Sequence, residues 1–211
     1  MQNFRKRDFV LSALIGEAVA WLLFVMVRVN APELPIPSGL ATTLASLNTA
    51  IAMAITFPLI ASLGLFAIYF ISKKVIVLYQ AAKFVQVGVL NTFIDLGVLN
   101  FLILFSGIAE GLAFTIFASI SFTAAVINSY YWNKYWTFKE KESAQAKEFA
   151  QFLFVSIIGL FINVGVASVI VNVVGAPEGV APGVWANVGK LIGIAFSLIW
   201  NFIGYKFWVF K

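Results

Sequence analysis

The chain has 211 residues, of which 62% are hydrophobic and 11% charged, and this apolar content exceeds what a soluble domain of its size can bury. It has no cysteine and no histidine, which excludes disulfides and disfavours hydrolytic or metal-dependent catalysis. The net charge is +5, but the basic residues cluster at the ends of apolar runs, as topology signals do. We therefore expect a membrane protein that is not an enzyme, binds no nucleic acid and needs no metal or cofactor.

Six apolar runs are long enough to cross a bilayer as helices, at ~20 residues per crossing. They lie near residues 9–28, 47–72, 84–106, 111–133, 149–173 and 184–206. The first run follows a basic N-terminus, but its length and the lack of a clear cleavage site indicate a retained span rather than a signal peptide. The proline-rich connection at 29–47 is predicted to be a surface loop, because proline cannot continue a helix. The predicted fold class is thus an all-α, polytopic membrane protein with six transmembrane helices.

Basic residues occur on alternate connections between these spans. They precede span one, separate spans two and three, separate spans four and five, and follow span six. The opposite connections hold Glu33, Glu110 and Glu178, with Arg28 as their basic residue. By the positive-inside rule, we predict that both termini and the basic connections face the cytoplasm.

The last four spans contain an internal repeat. Residues 151–166 (QFLFVSIIGLFINVGV) match residues 83–98 at an offset of 68, so that Asp95 falls on Asn163. Near the chain end, Lys134 matches Lys206 at an offset of 72. Each repeat contains two spans, so both repeats have the same orientation in the membrane. The pattern predicts two tandem, parallel helical hairpins.

This repeat defines the predicted domain organisation. Repeat one covers residues 83–139 and repeat two covers residues 151–211, and together they form a four-span domain at 79–211. Residues 1–78 form a two-span extension that lies outside the repeat. Two extra spans of this kind suit partner docking or contact with lipid.

Polar residues interrupt the apolar runs of the four-span domain. On span three, Asn91, Thr92 and Asp95 fall on one helical face, and span six carries Lys190 and Asn201. A charge near the middle of a bilayer is costly unless it finds a partner or water, so Asp95 and Lys190 should face the bundle interior. We predict that these two residues approach each other between the repeats.

Two interpretations of the polar residues stay open. They pack helices through interhelical hydrogen bonds and a structural ion pair, or they line a path for a polar substrate. Under the second interpretation, the candidate substrate-binding residues within the spans are Asn91, Thr92, Asp95, Asn128, Asn163, Lys190 and Asn201.

Aromatic and basic residues close each hairpin. Lys134 and Trp136 end the first, and Lys206 ends the second in a similar setting. Such residues at the cytoplasmic end of a span are most often interface anchors. The alternative is a phosphate site, with Lys134 and Lys206 as cationic contacts and aromatic rings against a prenyl chain or sugar.

These residues resemble the GtrA-like family of small bacterial and archaeal membrane proteins linked to cell-surface polysaccharide synthesis. The resemblance covers residues from about 80 to 211 and is carried by KFVQVGVLNTFIDLG, NSYYWNKYWTF, QFLFVSIIGLFINVG and WNFIGYKFWVF. The residues at the family's motif positions are Gly88, Thr92, Asp95, Asn128, Lys134, Trp136, Thr137 and Phe138. Where the family usually has arginine, this chain has Lys134, which keeps the charge but lacks the bidentate fork.

The resemblance implies translocation, or flipping, of a polyprenyl-phosphate-linked sugar across the cytoplasmic (inner) membrane of a bacterium or archaeon. The implied partners are that lipid-linked sugar in the bilayer and a membrane-bound glycosyltransferase, and the sequence is also compatible with a homo-oligomer. One alternative is a non-transporting scaffold for the glycosyltransferase, which would not need Asp95. Another is a small proton-linked exporter that uses Asp95 as its acid.

Overall fold

The computed structural model describes residues 6–30, 37–72, 76–137 and 145–209, apart from the side chains of residues 29, 30, 76, 77, 145, 146, 202 and 206. Within these ranges the chain is all-α and contains no strand. The α-helices are α1 (Lys6–Asn30), α2 (Ser38–Leu44), α3 (Leu47–Ile71), α4 (Ile76–Ser106), α5 (Gly111–Trp132), α6 (Gln145–Ser168) and α7 (Pro182–Gly204). Short π-helical segments extend α5, α6 and α7 at Asn133–Thr137, Val169–Val174 and Tyr205–Val209.

Six helices of the described chain are long and apolar enough to cross a membrane. They cover Lys6–Arg28, Leu47–Ile71, Leu78–Ser106, Gly111–Thr137, Lys147–Val174 and Pro182–Asn201. Large apolar side chains such as Ile60, Phe105 and Phe161 are exposed, as lipid-facing residues must be. The prediction of an all-α, six-span, multi-pass membrane protein is confirmed.

The short helix α2 occupies part of the connection that the sequence predicted to be a surface loop. It has no buried residue, and it begins directly after Pro37, which takes the N-cap position. Proline is tolerated at a helix start because its fixed φ suits the first turn and its missing N–H has no intrahelical partner there. The prolines therefore correctly indicated that α1 ends in this connection, but they did not predict that α2 begins after Pro37.

The chain forms two compact units, which we describe separately. The first contains α1, α2, α3, the part of α4 as far as Phe93, and the end of the α5 span from Tyr131. The second contains α4 from Ile94, α5 as far as Tyr130, α6 and α7. The predicted division into an extension at 1–78 and a domain at 79–211 was based on the sequence repeat, whereas the two units are defined by contacts between residues. That division stays a prediction.

In the first unit, α1 packs closely against α3. A Cβ atom added at Gly16 would lie 2.6 Å from the Phe57 carbonyl oxygen and 2.7 Å from Pro58 Cα. Pro58 lies inside α3, where proline has no N–H group to donate to the backbone. Glycine at position 16 thus lets the backbone of α1 approach the backbone of α3 beside Pro58.

In the second unit, α6 packs against α7 through small residues. A Cβ atom at Gly189 would lie 2.6 Å from Val171 Cγ2, and one at Gly193 would clash with the Asn163 carbonyl oxygen. The buried core of this unit is formed by Leu99, Ala109, Phe114, Ala118, Ala167, Val171 and Ala186. Small residues at a helix interface allow close backbone approach, which in a membrane replaces the missing hydrophobic driving force.

Two of the π-helical segments occupy matching places in the predicted repeats. Asn133–Thr137 and Tyr205–Val209 begin 72 positions apart, the offset at which Lys134 matches Lys206. A π-helical segment is rare and often lies at a functional site. The match agrees with the tandem repeat, which itself stays a prediction.

The α1–α3 contact generates the first testable prediction. Gly16→Ala should destabilise the protein by about 1–3 kcal/mol, because the added methyl group meets backbone atoms that cannot rotate away. Gly64→Ala is the matched control, since nothing lies within 4 Å of a Cβ at that position of α3. Thermal unfolding of the purified protein in detergent measures both effects. Equal melting temperatures for the two variants would contradict this account of the packing.

The second prediction concerns the orientation in the membrane. A cysteine introduced at Ser143 should be protected from an impermeant thiol reagent in intact cells, whereas a cysteine at Ala176, on the connection between α6 and α7, should be labelled. The chain has no native cysteine to interfere. We expect this labelling pattern because connections rich in lysine and arginine face the cytoplasm. Labelling of position 143 from outside would reverse the predicted topology.

Candidate functional site

The second unit contains a buried charge cluster centred on Lys190 of α7. Lys190 is 0% exposed, and its ammonium group donates to Asp95 Oδ1 at 2.9 Å, the Ala118 carbonyl oxygen at 2.9 Å and Asn163 Oδ1 at 2.6 Å. These acceptors lie on α4, α5 and α6. An ammonium group has three N–H donors, so each has an oxygen partner. The predicted approach of Asp95 and Lys190 is confirmed, and the pair joins residues of both predicted repeats.

Hydroxyl groups complete the surroundings of this cluster. Ser121 Oγ donates to Asp95 Oδ1 at 2.6 Å, on the side chain that Lys190 contacts. Asn163 Nδ2 donates to Ser197 Oγ at 3.4 Å, so the amide that accepts from Lys190 is held in turn by α7. Asp95, Ser121, Asn163 and Ser197 are all buried. We call these residues together with Lys190 the charge cluster.

Helical spacing and one glycine bring the charge cluster together. Lys190, Gly193 and Ser197 are separated by three and four residues, which places them on one face of α7. Because Gly193 has no side chain, α7 approaches the backbone of α6 at Asn163 closely. That approach puts Asn163 within hydrogen-bonding distance of both Lys190 and Ser197.

Asparagines form a second polar contact between α4 and α7. Asn100 Nδ2 donates to Asn187 Oδ1 at 2.6 Å, and Asn187 Nδ2 donates to Asn100 Oδ1 at 2.8 Å. Asn187 lies about one helical turn before Lys190, so the two contacts follow the same pair of helices. Interhelical hydrogen bonds of this kind are worth about 0.6–2 kcal/mol each in a membrane. Asn100 was not among the predicted candidates.

The charge cluster lies at mid-membrane depth within its spans. Asp95 is near the middle of Leu78–Ser106, and Lys190 is near the middle of Pro182–Asn201. Charges at this depth need partners because hydrocarbon cannot solvate them. The ion pair gives each charged group a partner inside the protein.

Within the described part of the chain, Thr92 and Asn201 make no hydrogen bond to the charge cluster. Thr92 Oγ1 donates to the Gly88 carbonyl oxygen of its own helix at 3.0 Å. Asn91 and Asn128 are half-buried. Asn201 is also half-buried, and its Oδ1 atom is enclosed beside Gly159 without a hydrogen-bond donor among the described residues. The side chain of Lys206 lies outside the described part of the chain.

The first unit contains a second buried ion pair, which sequence analysis missed. Asp8 and Lys83 are each 1% exposed, and Lys83 Nζ donates to Asp8 Oδ1 at 2.7 Å. Trp136 Nε1 donates to the same oxygen at 3.0 Å, and Trp136 is likewise 1% exposed. Trp136 is therefore held by a carboxylate inside the protein. The available signal was Asp8, an acidic residue directly after the basic N-terminal cluster. Lys83, between spans two and three, was interpreted only as a topology signal.

Beside this ion pair lies a pocket of about 220 Å³. It is lined by Arg7, Leu11, Tyr131, Trp132, Tyr135 and Trp136, and we call it the aromatic pocket. Lys134 Nζ lies 5.5 Å from the centre of the Tyr135 ring. Of the predicted phosphate-site residues with described side chains, Trp136 therefore lines a pocket and Lys134 lies beside one of its walls.

Neither place has the ligand set of a metal site. Within the described residues, no group of three or more acidic, cysteine or histidine side chains is arranged to hold a metal ion. What the arrangement offers instead is ionic and hydrogen-bonding contact: a cation in the charge cluster and a guanidinium beside aromatic rings in the pocket.

The third prediction concerns the energetics of the charge cluster. Asp95→Asn should destabilise the protein by about 3–5 kcal/mol, because it leaves the Lys190 charge buried without its counter-ion. The double variant Asp95→Asn, Lys190→Gln should recover most of that loss. Glu178→Gln is the control, since it removes an exposed carboxylate from a loop. Thermal unfolding in detergent gives the comparison, and a double variant no more stable than Asp95→Asn would refute the ion-pair account.

Comparison with known proteins agrees with the membrane architecture. The chain matches the family described as GtrA/DPMS, transmembrane domain, over residues 83–210, which is more than half of its length. The uncharacterized membrane protein YngA of Bacillus subtilis (strain 168) is 35% identical over 128 residues, which cover 61% of this chain and 77% of that protein. No solved structure matches the chain. On this similarity, the chain belongs to the GtrA/DPMS transmembrane-domain family.

Proposed function

We propose that this protein translocates a polyprenyl-phosphate-linked sugar across the cytoplasmic membrane for the synthesis of cell-surface polysaccharide or another glycoconjugate. The observation that carries the proposal is the charge cluster, which puts a buried cation and its counter-ion at mid-membrane depth in a family domain of four spans. The family match supports the setting in glycoconjugate synthesis. The proposed direction is from the cytoplasm to the outside, because the glycosyltransferase that uses the lipid-linked sugar acts outside.

The chemistry of the cluster suits the passage of a phosphate. A sugar phosphate cannot enter hydrocarbon without partners for its charge and its hydroxyl groups. In our proposal the lipid phosphate replaces the Asp95 carboxylate beside Lys190, and the displaced Asp95 takes up a proton from water, so that neither residue keeps an uncompensated charge. Asp95 remains hydrogen-bonded to Ser121, whose hydroxyl lies 2.6 Å from its carboxylate. Asn163, which contacts Lys190, and Asn187, about one helical turn before it, offer amide groups for sugar hydroxyls.

A second function, a scaffold that holds a membrane glycosyltransferase, is favoured by a different property of the same cluster. All three Lys190 donors are satisfied, and the Lys190, Asn163 and Ser121 side chains are fully enclosed. An ion pair whose donors are all satisfied makes a helical bundle more rigid, and its stability does not depend on a bound substrate. In this second role the pair would only lock the helices together, and it would be replaceable by neutral residues.

Neither function requires the protein to form or break covalent bonds. We propose a non-enzymatic role, consistent with a chain that contains no histidine and no cysteine. The glycosyltransferase remains a separate partner in both cases. A proton-linked exporter would differ by showing no dependence on prenyl lipid.

The fourth prediction separates the first two functions. The wild-type protein, reconstituted in liposomes, should move a fluorescent polyprenyl-phosphate sugar between leaflets, read out by an impermeant quencher. The double variant Asp95→Asn, Lys190→Gln should fold but translocate at least about tenfold more slowly, since it removes the cation that the phosphate needs. Glu178→Gln, whose carboxylate is exposed on a loop, should match the wild type.

The same assay identifies the alternatives. A double variant that folds and translocates at the wild-type rate would make the ion pair structural only. No translocation by the wild-type protein, together with co-purification of a glycosyltransferase, would favour the scaffold.

A further inference from the structure

Arg7 is the charged residue among the six that line the aromatic pocket. Its Nη2 atom donates to the Tyr135 carbonyl oxygen at 3.5 Å, and the described residues provide it with no carboxylate partner. A guanidinium group has five N–H donors in a fixed fork that matches phosphate. Most of these donors are therefore available to a ligand in the pocket.

The neighbouring acidic residue does not neutralise Arg7. Asp8 is the next residue of α1, about 100° further round the helix. Its carboxylate is buried and paired with Lys83 Nζ at 2.7 Å, so its charge is already compensated. The contact of Asp8 with Trp136 also fixes how α1 is rotated against the end of the α5 span. Asp8 thus acts as a positioning residue that directs Arg7 to the pocket.

Aromatic rings form most of the pocket wall. Tyr131 and Tyr135 are stacked with ring centres 6.3 Å apart, and the Trp132 and Trp136 rings meet edge to face at 5.6 Å. The pocket lies where the span Lys6–Arg28 begins and the span Gly111–Thr137 ends, which is the depth of lipid headgroups. At that depth, an anionic headgroup could pair with Arg7 while an apolar chain packs against the aromatic rings.

The size of the pocket restricts the lipid. At about 220 Å³ it is smaller than the ~300–1,000 Å³ that sites for drug-sized ligands occupy. The pocket has room for a phosphate and the first units of one chain, so a second acyl chain would have to lie outside it. A single-chain lipid phosphate is therefore a better match than a bilayer phospholipid.

We propose that the aromatic pocket binds the phosphate headgroup of a prenyl phosphate lipid, with Arg7 as its guanidinium contact. This inference rests on the proposed function, because it assigns an entry site for the same class of lipid. It gives the N-terminal extension a role: Arg7, which lies outside the family match at residues 83–210, supplies the bidentate cation that Lys134 does not.

The test uses the full-length protein in phosphatidylcholine nanodiscs and radiolabelled farnesyl phosphate as the probe. Arg7→Gln should weaken binding by about tenfold, the effect of losing one charge-assisted contact. Lys6→Gln is the matched control, because Lys6 is an exposed cation one residue away that does not line the pocket. It should change the affinity by less than about threefold at physiological salt, where exposed charges are screened. Excess dioleoylphosphatidylglycerol should not displace the probe.

Each other outcome overturns the proposal in a distinct way. Equal losses in Arg7→Gln and Lys6→Gln would mean general surface charge, and displacement by phosphatidylglycerol would mean a bilayer-lipid site. Binding that is unaffected by Arg7→Gln, with normal translocation in liposomes, would reject the pocket and leave the proposed function intact. Absence of both probe binding and translocation in the wild-type protein would reject the two together.

Discussion

The second unit depends on the need to satisfy one buried lysine. Hydrocarbon offers the Lys190 ammonium neither water nor a counter-ion, so every donor must be matched by the protein. The partners come from α4, α5 and α6, and this requirement links all four helices of the family domain through one side chain. Apolar packing alone would allow these helices several rotations, because lipid tails are as apolar as leucine. The ion pair and its hydrogen bonds favour a single arrangement.

The first unit contains a buried ion pair of the same kind, with its carboxylate in the first turn of α1. Asp8 accepts from Lys83 and Trp136, which ties α1 of the extension to residues inside the family match. A close contact at Gly16 then brings α1 against α3. The extension is thus held to the family match by the Asp8 contacts and by hydrogen bonds such as the one from Ser12 Oγ to Gln86 Oε1. Its attachment leaves Arg7 beside the aromatic pocket, so the structural role of Asp8 and the binding role proposed for Arg7 depend on neighbouring positions of one helix.

A saturated ion pair fits transport only if it can be exchanged for an equivalent contact. The energetic cost of separating Lys190 from Asp95 is high when nothing replaces the carboxylate. In the proposed exchange, a phosphate in place of the carboxylate removes most of that cost only if the displaced Asp95 is neutralised by a proton, because the ammonium then keeps an anionic partner and no charge is left unpaired. The two proposed sites would act in sequence, with capture at Arg7 in the headgroup region and exchange at Lys190 in the membrane interior.

The sequence by itself determined the six spans, because the length and polarity of an apolar run suffice to predict a membrane crossing. It also determined that Asp95 and Lys190 face inward and meet, since two opposite charges at similar depth in a membrane have their lowest free energy when they pair. Only the tertiary structure decided which neutral groups join them: Asn163 and Ser121 contribute, whereas Thr92 bonds to its own helix. It also revealed the pairing of Asp8 with Lys83, 75 positions apart. Helical periodicity gives the face of a residue within one helix, but the rotation and depth of one helix against another depend on packing at positions such as Gly16 and Gly193, which no local pattern records.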